Sequence, residues 1–297
     1  MPDDSAPPAP TPDSAAPAPR LEARTTRELI IEPDSVERQY WRDLWGYREL
    51  LAMLAWRDVA VRYKQTVIGV LWAVLRPFFT MLAFTFVFSR LAKLPSDGGA
   101  PYPLMVFVAM LPWQLFSSAL LGASESLASN ANLISKVYFP RLIVPTATVA
   151  VSVVDFLVSL VVLAGMMVWY RFVPPLQVLA VIPLTLLAGL LALGPGIFLC
   201  AVNVKFRDFR HALPFITQFA IYVTPVGFSS SIVPERWRVP FELNPMVGVI
   251  DGFRWAVLGS VDFPGRALAI SAIVCVAFLG LGVRRFRKAE NTFVDVI

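Results

Sequence analysis

The sequence predicts an all-α integral membrane protein with six transmembrane helices, an N-terminal interfacial amphipathic helix and a re-entrant external segment between the fifth and sixth spans. Three observations carry this prediction. Of the 297 residues, 57% are hydrophobic and 16% charged, with a mean hydropathy of +0.64, well outside the range of soluble domains. The hydrophobicity is gathered in runs of the length, about 20 residues, that a helix needs to cross a hydrocarbon core about 30 Å thick. Those runs are continuously apolar and lack the alternation of inward polar and outward apolar positions that marks a barrel strand, so the spans must be helices.

The elements follow in order. Residues 1–20 hold seven prolines and five alanines and no apolar run, so 1–40 is expected to be a disordered cytoplasmic tail. Its first cation, Arg20, is followed by no signal-peptide core. Over 41–63, Leu44, Tyr47, Leu51, Leu54 and Ala55 recur at three- and four-residue spacing, while Arg48, Glu49, Arg57, Asp58 and Arg62 fall elsewhere. This stretch is too charged to span. Trp41, Trp45 and Trp56 suit the headgroup level, which favours a helix lying along the cytoplasmic membrane face over a solvated helix on a partner. A transmembrane domain over 64–284 is expected to hold spans near 67–89, 103–123, 142–169, 176–203, 213–232 and 266–283. Between the last two, Met246 to Leu258 is apolar but too short to cross, the character of a re-entrant or interfacial helix. Residues 285–297 are expected to be a cytoplasmic tail.

Basic residues orient this topology. Twelve near the spans fall on the side of the chain ends, among them Arg57, Lys64, Lys136, Arg141, Lys205 and Arg284, against seven on the longer opposite connections. By the positive-inside rule both termini are cytoplasmic. The net charge of +5 therefore reports topology, and no nucleic-acid partner is expected. Cys200 and Cys275 both sit in apolar runs and His211 is the single histidine, so neither a disulfide framework nor a metal cluster is expected. No internal inverted repeat of the kind found in many ion-coupled carriers is visible.

Five segments resemble one family, the type-2 ABC permeases that export polysaccharides, including O-antigen and teichoic-acid exporters of the Wzm kind. They are DVAVRYKQTVIGVLWAVLRPFFT from Asp58, NLISKVYFPRLIVP from Asn132, NVKFRDFRHALPFITQFAIYVT from Asn203, NPMVGVIDGFRWAVLG from Asn244 and ENTFVDVI from Glu290. The resemblance covers about residues 44–297, and the long Pro/Ala-rich tail departs from it. It implies a homodimer in the bacterial inner membrane, paired with two copies of a separate ABC ATP-binding subunit and moving a lipid-linked polysaccharide. The chain contains no G-x-x-x-x-G-K-[ST] loop, so it is not expected to be an enzyme. No cofactor is expected on it, ATP and Mg belonging to the partner.

Candidate site residues fall in two groups. Arg76, about nine residues into the first span, and Asp155, deep in the third, carry charges that are costly in lipid. They line a polar conduit or pair with each other across helices. Trp72, Arg76, Phe79, Ala83, Phe86 and Arg90 share one helical face, a mixture of rings and cations that suits a sliding glycan as well as ordinary packing. The other group lies in the cytoplasmic loops, where the resemblance places coupling elements. Asn132, Lys136, Tyr138, Phe139 and Arg141 in the first loop, and Arg207 and Asp208 in the second, are the candidate contacts with the ATPase, the alternative being positive-inside charge with interfacial rings. Export of a drug or small lipid is the competing transport reading, because fold does not fix cargo. A membrane-embedded transferase would need converging carboxylates, histidines or a nucleophile, and the sequence offers none.

Overall fold

The computed structural model describes residues 35–64, 67–137, 139–206, 208–259 and 262–290, excluding the side chains of 35–39 and 67–73. The described residues form helices and no strands. Two units are distinguished, one up to Gln39 and one from Tyr40 onward; only the start of a helix is described in the first. The expected tail thus lies outside the described residues, except that its last residues from Ser35 are helical.

The stretch over 41–63, expected to be one amphipathic helix, falls on two helices, α1 (Ser35–Gly46) and α2 (Arg48–Lys64). The break falls at Gly46, where glycine's poor helix propensity costs about 1 kcal/mol. Tyr47 N–H still bonds to the Asp43 carbonyl at 2.9 Å. On α2, Leu54 is buried while Trp56 stays exposed.

Helix α3 (Val67–Phe84) carries Pro77 and widens into π-helical turns over Thr85–Leu91. Helix α4 (Tyr102–Ser129) is the centre of the bundle, with Leu104 to Leu111 all buried. A one-turn helix, α5 (Ala131–Ile134), leads to α6 (Ile143–Trp169). Helices α6 and α7 (Val181–Lys205) both pack along α4, and α11 (Gly265–Glu290) packs along α7. Without water to drive helices together in lipid, such contacts rely on close backbone approach. Gly194 and Gly282 provide it, since a Cβ on Gly282 would lie 2.3 Å from the Gly194 carbonyl oxygen.

Among the described residues, five helical segments are long and apolar enough to cross a membrane: Val74–Leu91, Tyr102–Ser129, Ile143–Trp169, Leu176–Lys205 and Gly265–Glu290. The expected fifth span, near 213–232, is not among them. Helix α8 (Phe209–Val223) has 15 residues and stops well short of 232. Pro225 disfavours helical backbone at the preceding residue, and Thr224 is accordingly extended, at ψ 144°. The chain then forms α9 (Glu235–Glu242) and α10 (Pro245–Leu258). Asn244 caps α10 by accepting from the Met246 N–H at 3.1 Å, and Gly259, at φ 66°, closes it. Nearly every residue of α10 is buried against α4, α7 and α11. At the other end of the chain, α11 runs on to Glu290 with Phe286 fully buried, beyond the expected end of the last span.

Candidate functional site

The face of α3 predicted from its spacing is open along its described length. Arg76, Ala83 and Arg90 are exposed, and Phe79 and Phe86 are each 59% exposed; the Trp72 side chain lies outside the described residues. Helix α8 extends this surface. Phe84 of α3 lies 5.8 Å from Tyr222 of α8, ring centre to ring centre, and Phe215, Phe219 and Tyr222 are all more than half exposed. These α8 rings were not singled out from the sequence, although their four- and three-residue spacing carries the signal of a shared face.

Asp155 does not belong to that surface. Its Oδ2 accepts from Arg62 Nη1 at 2.6 Å, and its Oδ1 accepts from the Tyr63 hydroxyl. The partner weighed for it from the sequence, Arg76, makes no ion pair among the described residues. The reason is the course of α2, whose last turn runs beside α6 and brings its own cation to the carboxylate. Asp155 lies near the middle of α6, which runs from Ile143 to Trp169, and the end of α2 reaches it there. Burial, then the bond to Asp155, pushes the Tyr63 phenol well above its ordinary pKa.

The first loop is partly tied down. Asn132 and Lys136 are exposed, whereas Phe139 is buried beside Leu54, Ile143 and Phe286. The Arg141 N–H donates to Glu290 Oε1 at 3.2 Å and its guanidinium to the Glu290 carbonyl, so this loop is fastened to the end of α11. Asn130, just before it, accepts from Arg57 Nη2 at 2.7 Å. In the second loop Asp208 is exposed. Tyr138 and Arg207 lie outside the described residues, as does ENTFVDVI beyond Glu290.

At the opposite end of the bundle lies a buried knot that sequence reasoning missed. Where α8 breaks, the backbone of 224–229 would leave carbonyls unpaired in the interior. Arg254 of α10, fully buried, donates to the carbonyls of Phe228 at 2.9 Å and Val226 at 3.4 Å, and the Tyr102 hydroxyl donates to that of Gly227 at 2.7 Å. A Cβ at Gly227 would lie 2.4 Å from the Phe88 ring, so any larger residue would have to displace that ring. The Arg254 charge is met by Asp97 at 3.5 Å and Asp251 at 4.0 Å, and Ser230 donates to Asp251 at 2.8 Å. A cavity of about 630 Å³ opens beside this knot, with Asp97, Asp251 and Ser230 in its wall. The available signal was an arginine inside an apolar segment. Among the described residues no group of histidines, cysteines or carboxylates is arranged to hold a metal ion.

Comparison with known proteins places the sequence in a transporter family. Residues 49–258 match the family of ABC-2 type transporters. The chain is 30% identical over 261 residues to the O-antigen export system permease protein RfbA of Myxococcus xanthus, covering 86% of this chain and 98% of that protein. It is 24% identical over 251 residues to the O-antigen export system permease protein RfbA of Klebsiella pneumoniae, covering 84% and 95%. With the polysialic acid transport protein KpsM of Escherichia coli the identity is 21% over 242 residues, covering 80% and 92%. The family match takes in α2 through α10, and with the five apolar helices it identifies the chain as a multi-pass integral membrane protein belonging to the ABC-2 type transporter family.

Proposed function

We propose that the chain is the membrane-spanning subunit of an ATP-driven exporter that moves a lipid-linked polysaccharide across the bacterial inner membrane. In this reading two copies pair through the α3 and α8 faces and the glycan slides between them. The observation that carries it is the open face of Arg76 and Phe79 on α3 and Phe86 on the π-helical turns that prolong it, beside Phe215, Phe219 and Tyr222 on α8. Its rings offer apolar faces to sugar C–H groups and its arginine a donor fork to hydroxyl or phosphate oxygens. The relatives' names, which concern O-antigen and polysialic acid, support a polysaccharide cargo. The sequence lacks a phosphate-cradling P-loop, so energy arrives from two copies of an ATP-binding subunit, which holds ATP and Mg.

Both chain ends are cytoplasmic here, following the basic residues. Helices α1 and α2 lie along the inner membrane face, where Trp41, Trp45 and Trp56 remain exposed. Helix α8, about 22 Å long, makes the fifth crossing together with the turn that Arg254 satisfies, a non-helical stretch tolerated because protein buries it. The α9–α10 hairpin is then the re-entrant element. Asn132, Lys136 and Asp208 are the exposed residues offered to the ATPase; Phe139 and Arg141 hold the first loop in shape through α2 and α11.

The test is to remove the chain from its host and purify a tagged copy from wild-type cells. Surface polysaccharide is expected to disappear while lipid-linked glycan accumulates inside, and an ABC ATPase is expected to co-purify. Unchanged surface polysaccharide together with lost export of a drug or a small lipid would overturn the cargo and leave the transporter class intact.

A further inference from the structure

At the end of the bundle where α7 reaches Lys205 and α11 reaches Glu290, the two helices border a cleft of about 280 Å³. Its floor is apolar, formed by Phe198, Ala201, Val202 and Ala289, and its rim carries Lys205, Arg285 and Lys288. No carboxylate among the described residues lines it. Arg285 and Lys288 lie three residues apart on α11, so their charges repel on one helical face. Lys205 arrives from α7 to join them, with its ammonium 5.5 Å from the centre of the Phe206 ring. None of the three has a salt bridge among the described residues, and all three are exposed. Positive charge that converges without a counter-charge is a site for an anion.

The surroundings determine which anion. Both helices are among those able to cross a membrane, so the cleft lies where a bilayer passes from acyl chain to headgroup. From the cleft the same face of α11 continues towards the middle of the span through exposed Leu281 and Phe278. A free phosphate has no use for such a floor. A lipid presents both parts at once, an apolar stem and a phosphodiester or pyrophosphate at its end. We propose that this cleft binds the phosphate headgroup of a lipid in the leaflet facing the chain ends, with Lys205, Arg285 and Lys288 on the phosphate oxygens and the lipid stem lying along α11. Basic pockets between transmembrane helices on the cytoplasmic side bind anionic headgroups by this chemistry. The occupied cleft ties α7 to α11 beside Glu290, the residue that fastens the first cytoplasmic loop.

The experiment measures lipid retention by the detergent-purified full chain in native mass spectrometry. Its arms are phosphatidylglycerol, phosphatidylcholine, farnesyl pyrophosphate and inorganic pyrophosphate. The wild-type chain is expected to retain phosphatidylglycerol or farnesyl pyrophosphate and to lose phosphatidylcholine. The triple change Lys205→Gln, Arg285→Gln, Lys288→Gln is expected to weaken retention by about fivefold for each cation removed. A control triple at Arg210, Arg236 and Arg238 removes the same charge away from the cleft and is expected to retain lipid as the wild type does. If the triple variant does not fold, Arg285→Gln with Lys288→Gln tests the same expectation at smaller size. Preference for phosphatidylglycerol identifies an ordinary membrane lipid, and preference for farnesyl pyrophosphate identifies a prenyl carrier headgroup; either supports the cleft. Equal retention by wild type and cleft variants overturns it, as does binding of inorganic pyrophosphate with neither lipid retained.

Discussion

Asp155 is held by Arg62 at 2.6 Å and by the Tyr63 hydroxyl, and this pairing separates the effects of two arginines. The Arg62 side chain is about half exposed, so water screens the pair and its loss costs about 1 kcal/mol or less. Arg62→Ala is therefore expected to lower the thermal midpoint slightly, and Asp155→Asn in the same chain to remove most of that defect, because the carboxylate that lost its partner is gone. Arg76 stands apart, exposed on the open α3 face. Arg76→Ala is expected to leave unfolding unchanged while slowing export. Thermal melts of the four variants, with export measured beside them, check this. Rescue of Arg76→Ala by Asp155→Asn, with no coupling to Arg62, would restore the Arg76–Asp155 pair in place of the one described here.

At the scale of elements, the broken α8 and the buried α10 depend on each other through one side chain. Arg254 satisfies the carbonyls of Val226 and Phe228 and is itself neutralised by Asp97 and Asp251. Arg254→Leu would strand both carboxylates and two carbonyls, and breaking a buried charge cluster in this way costs about 3–5 kcal/mol. A sharp fall in the thermal midpoint is expected, against a change within about 0.5 kcal/mol for Arg238→Leu on the exposed face of α9; similar midpoints for the two would refute the role given to Arg254. This element also marks the limit of what the sequence makes legible. The apolar runs behind α4, α6, α7 and α11 are local, so hydropathy finds them. The early end of α8 was also written locally, in Thr224–Pro225, but continuous hydrophobicity masked it. The partners of Arg254 and Asp155 come from segments distant in sequence, and neither period nor composition names them. The face of α3 was readable from its spacing; its continuation onto α8 required knowing that Phe84 meets Tyr222.

For the whole molecule, the question is what covers that shared face. In a single chain Phe79 and Phe86 are each 59% exposed, and Phe215, Phe219 and Tyr222 lie open beside them. An apolar surface of this extent on one side of a membrane subunit faces lipid, a second copy or a passing substrate, and each occupant responds differently to shaving the rings. With Phe79→Ala and Phe86→Ala combined, the fold of one chain is expected to change little, because exposed rings contribute little to its packing. If the rings face the conduit, export slows while the fraction of dimer, read by light scattering in detergent, stays the same. If they form the core of the dimer contact, the dimer fraction falls together with export, since buried aromatic anchors dominate such contacts. If they face lipid, neither quantity moves and the conduit reading fails. A Phe219→Cys chain adds the geometry. A disulfide between two copies places α8 at their junction, and its formation only when export is halted would place the moving glycan in the space between them.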